Sequence, residues 1–426
     1  MPADLDLMRT GAWLTRGRMR LWAGAILLVS AVAIAYVVAT RSGINDYQGR
    51  PIGTDFSNVY AAGTYVLEGR ADAPFAAPEQ HAREQQIFGA ATPFYGWHYP
   101  PFFLFVAALL ATMPYLLALA VWQATTLALY LLATRAVLRG GGAVPAPAQP
   151  HGGTLACDPL WLVLALAYPA VLVNLGHGHN GFLTAALFAG ALVLLDHRPL
   201  VAGVLFGLLA YKPQFGLLIP LALVATGRWR TVLAAGATVA LLVAVTTLTF
   251  GLPVWHAFAA GSRFTREVVL EQGDTGWQKI QSVFAWVRMW GGPVVLAYAV
   301  QGLVTVAVAA ATIWLWRSPA SHALKAAGLL VGAILATPYS LDYDMMVLAP
   351  AIAFAAADGI AEGFGPYEKT ALALLWLVPL IARGIAQAAL VPLGVIAMAT
   401  VFALILRRAA AGPRPGSPVP APRSAH

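Results

Sequence analysis

The sequence predicts an all-α integral membrane protein: a polytopic bundle of about twelve transmembrane helices, with further short helices on its outer face. Three observations predict it. Of the 426 residues 59% are hydrophobic and only 10% are charged, and the mean hydropathy is +0.71. A soluble domain carries roughly 25% charged residues, so lipid is the main solvent of this chain. Apolar runs recur along nearly the whole length, and basic residues collect at their ends, as at Arg16, Arg18 and Arg20 or at Arg407 and Arg408. That is where a positive-inside pattern puts them.

The runs fall at roughly 21–40, 101–113, 115–138, 158–175, 180–195, 199–210, 215–226, 231–250, 293–316, 323–338, 345–358, 370–386 and 389–406. The first is too long for the apolar part of a signal peptide, and no clear small-residue cleavage site follows it, so it reads as a retained anchor. Several runs are shorter than the ~20 residues a perpendicular helix needs and must be tilted, extended or re-entrant. The two that flank Lys212 are the clearest case.

Orientation follows from the arginines. With the N-terminus in the cytoplasm and 101–113 a partial dip, the loops at Arg135–Arg139, Arg198, Arg228–Arg230, Arg317–Lys325 and Arg407–Arg408 all face the cytoplasm, as do both termini. Counting 101–113 as a crossing reverses every later loop. Residues 1–408 then form one transmembrane domain with two long outer loops, 41–100 and 251–292. The first mixes charges of both signs with short apolar stretches, the pattern of helices lying along the membrane surface. The Pro-, Ala- and Gly-rich stretches at 140–153 and 409–426 read as disordered linkers without chemistry, the second a cytoplasmic tail.

The sequence pI of about 9.7 does not imply nucleic acid, because no basic stripe is interleaved with aromatics. A single cysteine, Cys157, excludes an internal disulfide and a multi-cysteine metal site.

In this topology the polar clusters sit at the outer ends of the spans: Thr54-Asp55, Trp97-His98-Tyr99, His177-Gly178-His179-Asn180, Tyr211-Lys212-Pro213-Gln214 and Tyr339-Ser340-Leu341-Asp342-Tyr343-Asp344. Ionisable groups at membrane depth are expensive, so five clusters on one face point to a shared wet cavity; the plain alternative is that loop ends are polar anyway. Asp55 is either a first-turn acid of a helix starting at Thr54 or a general base close to the bilayer surface. Lys212 either snorkels or neutralises a phosphate at the membrane boundary, with Gln214 as a second donor. Arg263 and Arg266 are further phosphate candidates, or plain surface charges.

His98, Tyr99, His177, His179, Asn180, Tyr339, Asp342 and Asp344 are the candidate substrate-binding residues. His177 and His179 could be combined with Asp342 and Asp344 as metal ligands, but residues two apart on a helix point to nearly opposite sides. No metal ligand and no cofactor are therefore assigned. The aromatics Phe94, Tyr95, Trp97, Tyr99, Phe102 and Phe103 read mainly as an interfacial belt, with sugar stacking on Trp97 or Tyr99 as a second role.

The motifs resemble those of glycosyltransferase family 87, membrane enzymes of the GT-C fold. They are Thr54-Asp55-Phe56-Ser57 with Ala61-Ala62-Gly63, Tyr99-Pro100-Pro101, Gly178-His179-Asn180-Gly181, Ala202-Gly203 through Tyr211-Lys212-Pro213-Gln214, Gly227-Arg228-Trp229, and Pro338-Tyr339 with Asp342-Tyr343-Asp344. In order, they cover most of residues 45–350. The resemblance implies a GT-C-type helical bundle and an inverting transfer of a mannose- or pentose-like sugar. The donor would be a polyprenyl-phosphate sugar, the acceptor a lipid or glycan, and the site the outer face of the cytoplasmic membrane, among membrane lipids. By the same likeness Asp55 falls on the family's catalytic aspartate. His179 stands where such proteins usually have Gln, and Leu341-Asp342-Tyr343-Asp344 replaces the Ser-Trp and paired-His motif of the mannosyltransferase branch. The rival reading is a transporter or flippase of a lipid-linked precursor, which would favour inverted repeats and broken helices meeting at mid-membrane.

Overall fold

Backbone N–H and C=O groups in hydrocarbon have no water to bond, so an apolar run closes its hydrogen bonds within itself as a helix. Each predicted run does so. The computed structural model describes residues 3–140 and 155–412, and apart from their first residues the two linker stretches lie outside the described residues. Among the described residues, β pairing is limited to isolated bridges.

A short α1 (Ala3–Thr10) precedes α2 (Arg16–Ala39), capped by the Thr15 side chain, which accepts from the Arg18 N–H. Only Ala23 of α2 is buried, so nearly all of its apolar surface is left for lipid. The first long loop, 41–100, contains α3 (Thr54–Leu67) and α4 (Ala77–Phe88), and the chain then passes through Pro101 into α5 (Leu104–Ala111). The apolar stretch Pro101–Ala111 rises only about 16 Å against a hydrocarbon core of about 30 Å, too short to cross it as a straight helix. Helices α3 and α5 pack backbone to backbone at Gly63, where a Cβ would lie 2.1 Å from the Ala107 carbonyl oxygen.

Helix α6 (Tyr115–Leu138) is long enough to cross, whereas α7 (Leu160–Leu166) and α8 (Pro169–His177) form one broken span bent by 47° at Pro169. Three short apolar helices follow: α9 (Gly181–Leu194), α10 (Pro199–Leu208) and α11 (Leu218–Ala225). The last two are separated by 3₁₀ turns on either side of Lys212. Helix α12 (Trp229–Phe250) leads to the second outer loop. That loop comprises α13 (Pro253–Phe264), a π-helical segment Thr265–Glu271, a turn at Trp277–Lys279 and α14 (Val283–Met289). The chain ends with α15 (Val294–Arg317), α16 (His322–Leu335), a 3₁₀ segment Asp342–Val347 running into α17 (Leu348–Glu362), α18 (Glu368–Ala389) and α19 (Leu393–Ala411). By length and composition seven helices can cross a membrane, or eight with the bent pair; the remaining apolar helices are shorter.

The core centres on α16, buried at every residue from Ala326 to Leu335 and packed against α15, α17 and α19. A second cluster joins the outer loop to α6 through Phe56, Trp97, Tyr99, Phe103, Trp122 and Tyr211. Of the six aromatics between Phe94 and Phe103 that were expected mainly in an interfacial belt, Trp97, Tyr99, Phe102 and Phe103 are instead buried, with Phe103 stacked on Tyr211, because α5 packs against α3 and α6 and draws them into this cluster.

The two ends of the bundle differ in chemistry. At one end Arg228 pairs with Asp196 at 2.6 Å, and Arg408 with Asp358 and Glu368 at 2.7 and 2.8 Å. His322 approaches Asp196 at 3.8 Å, Ser321 bonds Asp358 and Arg16 bonds Asp158. The basic loops thus share one end, as the charge pattern requires. The other end holds the polar clusters.

Candidate active site

The clusters converge on one cavity of about 1450 Å³. Asp55 enters from α3. Gly53, with φ +73°, precedes that helix and contributes no side-chain cap, so Asp55 lies in the first turn with its carboxylate toward the cavity. Its Oδ1 is 3.7 Å from His177 Nδ1, and the same ring nitrogen is 2.8 Å from Thr54 Oγ1.

His177 ends α8 because Gly178 follows in the left-handed region at φ +62°. A Cβ at Gly178 would meet Phe56 Cβ at 2.6 Å and Leu119 Cδ1 at 2.8 Å, so only glycine lets this turn sit against α3. The turn is held from all sides. Trp122 Nε1 donates to the Gly178 carbonyl (3.1 Å), and Asn174 accepts from Gly181 N–H (2.9 Å) while donating to the Tyr343 carbonyl (3.0 Å). This corrects the expectation that His177 and His179 diverge: they do not share a helix, and both line the cavity. The His179 ring stacks on Tyr343 at 3.4 Å between centroids, and its Nε2 is 3.3 Å from the Tyr99 hydroxyl. Asn180 is buried beside the lining and accepts from Thr184 through its carbonyl. Among the described residues no group of three or more His, Cys, Asp or Glu side chains is arranged to hold a metal ion.

Lys212 does not snorkel. It is 4% exposed and its Nζ is ion-paired with Asp344 Oδ1. Asp344 Oδ2 also accepts from the Leu341 N–H at 3.0 Å, so this one carboxylate holds the Asp342–Val347 turn against the break between α10 and α11. Asp342 accepts from the Tyr343 N–H and lies 3.7 Å from Arg383 Nη1. Tyr339 and Gln214 line the same cavity. Arg263 and Arg266 do not: Arg266 is exposed and paired with Glu267 at 3.2 Å. In their place the second long loop, 251–292, contributes Thr265, whose Oγ1 is 2.7 Å from His98 Nδ1. Burial pushes the His98 imidazole down to about 4, so it is neutral at neutral pH and joins the two long loops as an uncharged bridge.

Several lining or supporting groups were not anticipated. Glu84, fully buried on α4, accepts from the Tyr95 N–H at 3.0 Å and from Gln80 Nε2 at 3.4 Å, and burial raises its carboxyl to about 7. Gln80 donates in turn to the Asn58 carbonyl on α3 (3.0 Å), one turn from Asp55. The signal was present: Gln80, Glu84 and Phe88 recur every fourth residue and are the buried stripe of α4. Lys279 and Arg383 also line the cavity. Arg383 falls inside the 370–386 apolar run rather than at its end, which is itself a mark of function.

The cavity is lined by polar groups of the two long loops and by an apolar set, Ala33, Ile34, Val37 and Val38 of α2, Leu172 and Val173 of α8 and Leu380 of α18. A head group with charged and hydroxyl functions and a hydrocarbon tail would be matched on both sides.

The family model of glycosyltransferase family 87 matches residues 97–338. That range includes His98, Tyr99, the His177–Asn180 turn and Lys212; Asp55, Asp342 and Asp344 lie outside it. No curated protein and no solved structure matches the chain.

Proposed function

The chain belongs to glycosyltransferase family 87, a polytopic membrane family of glycosyltransferases, and from this premise we propose that it transfers a mannose- or pentose-like sugar from a polyprenyl-phosphate donor to a lipid or glycan acceptor. The observation that carries the proposal is the union of Asp55, the His177–His179 turn and an apolar wall in a single cavity, at the end of the bundle opposite the basic loops. By the positive-inside pattern, the cavity then faces the outside of the cytoplasmic membrane.

The donor's chain lies along the apolar wall and its sugar lies under the outer loops. Asp55 takes the proton of an acceptor hydroxyl, whose oxygen attacks the anomeric carbon as the bond from that carbon to the phosphate oxygen breaks, with inversion. The electron pair leaves with the polyprenyl phosphate. Gln214 donates toward that phosphate. Tyr99, His179, Tyr339 and Asp342 are assigned to the sugar and acceptor, and His98 to the roof above them.

Purified protein in lipid, given a small panel of polyprenyl-phosphate sugars and membrane-lipid acceptors, tests the scheme beside Asp55→Asn. Transfer by the parent that collapses in the variant, with folding retained, supports both reaction and base. Equal activity in the variant removes Asp55 from its role. Passage of lipid-linked sugar across the bilayer without transfer by any donor would instead favour a flippase.

A further inference from the structure

A leaving lipid phosphate needs a cation that is not already committed. Lys212 is committed: it is 4% exposed and ion-paired with Asp344, so the pair brings no net charge to the cavity. Arg266 has its own carboxylate, and neither Arg263 nor Arg266 lines the cavity. Arg383 differs in each respect. Its side chain is 45% exposed and lines the cavity, and its nearest carboxylate is Asp342, at a loose 3.7 Å. Among the described residues its guanidinium makes no hydrogen bond within the usual range, which leaves its planar fork of donors open.

Its position on α18 is equally specific. Pro379 and Leu380, one turn before it, and Gly384, next to it in the chain, line the same cavity. An arginine within an otherwise apolar span is costly to bury and points to a functional partner. The Trp277–Lys279 turn packs against α18, and Lys279 also lines the cavity. Two cations therefore line the same cavity as the apolar residues of α2, α8 and α18, the combination that a phosphate carrying a hydrocarbon chain requires.

We propose that Arg383, assisted by Lys279, is the anion anchor of this site and holds the phosphate of a lipid-linked phosphate, the role that sequence alone assigned to Lys212, Arg263 and Arg266. The inference rests on the lipid-phosphate reading above. The phosphate belongs either to the polyprenyl donor or to the head group of an anionic acceptor lipid, and a guanidinium fork suits both.

Binding, rather than turnover, tests it. The parent protein, Arg383→Gln and Lys279→Gln, each purified in lipid, are titrated separately with a polyprenyl monophosphate, the corresponding polyprenol and phosphatidylglycerol. Arg383→Gln should weaken polyprenyl monophosphate about tenfold or more and Lys279→Gln by less, with polyprenol binding unchanged. If phosphatidylglycerol alone loses affinity, the anchor serves an acceptor head group instead. Equal loss of polyprenol and its phosphate would mean that Arg383 only packs, and unchanged phosphate binding would overturn the assignment while leaving the transferase reading intact. A parent protein that binds no lipid phosphate would remove both.

Discussion

The carboxylate of Asp55 and the Nδ1 of His177 lie 3.7 Å apart, on helices that meet only because Gly178 turns the chain at that point. Thr54 bonds the same nitrogen at 2.8 Å, so the ring is fixed from α3 and cannot swing away from Asp55. His177 is thereby held beside Asp55, where the proposed mechanism needs the base kept in place.

Removing a general base costs about 10²–10⁴-fold in rate, and Asp55→Asn should fall in that range. His177→Asn should cost on the order of 10–100-fold, with little change in the donor's KM, because it disturbs the geometry of the base and not the substrate's contacts. The double variant should be no slower than Asp55→Asn alone, since two groups acting as a unit are not additive. Steady-state kinetics of the three variants decide it: losses that simply multiply would mean that His177 acts independently of Asp55.

Lys212 and Asp344 make a second coupled pair, buried and therefore sensitive to half-removal. Lys212→Met leaves Asp344 as an unpaired buried charge, typically a loss of about 3–5 kcal/mol. Replacing both, as Lys212→Met with Asp344→Asn, should recover more than half of the lost thermal stability, because the asparagine oxygen can still accept from Leu341. Thermal unfolding followed in lipid or detergent reads this directly. A double variant as unstable as the single one would mean that the cation, not the pairing, is what the fold needs.

The sequence makes some of this legible and hides the rest for physical reasons. The helix starts at Thr54 and Pro101 were readable because a first-turn acid and a first-turn proline are local effects. The pairing of Lys212 with Asp344 spans 132 residues and leaves no local trace, so Lys212 read as a free cation. His177 and His179 read as diverging because a helix was assumed through Gly178, whose left-handed conformation breaks it. Arg383 was not among the candidate residues read from the sequence. Its place within the apolar run was visible, but which face of α18 meets the cavity depends on tertiary packing.

Glu84 gives the protein a pH dependence whose sign can be worked out. Its folded carboxyl titrates near 7 against 4.5 when exposed, because burial disfavours the charged form. Between those values the folded state holds a proton that the unfolded chain has released. Stability from this group is therefore complete below about 4.5 and is lost as pH rises through about 7. Glu84→Gln removes the titration. Its thermal stability relative to the parent should improve steadily from pH 5 to 7 and level off above about 7.5, within an upper bound of roughly 3 kcal/mol. A gap that does not change with pH would show that Glu84 is ionised throughout.

Gly178 offers the sharpest separation of folding from function. At φ +62° an alanine pays the left-handed backbone cost, about 1 kcal/mol, and its Cβ would lie 2.6 Å from Phe56 Cβ. Phe56 follows Asp55 directly on α3, so relief of that clash must move α3 and α8 apart, and with them Asp55 and His177. The span itself has no reason to leave the membrane, because the bundle core around α16 is untouched. Gly178→Ala should therefore insert and purify normally, lose modest thermal stability and lose transfer by about the same factor as His177→Asn. Gly176→Ala, two residues earlier in α8 and with open space around its Cβ position, is the matched control and should keep near-parental activity. Full activity in Gly178→Ala would mean that the close approach of α3 and α8 is not what aligns the base.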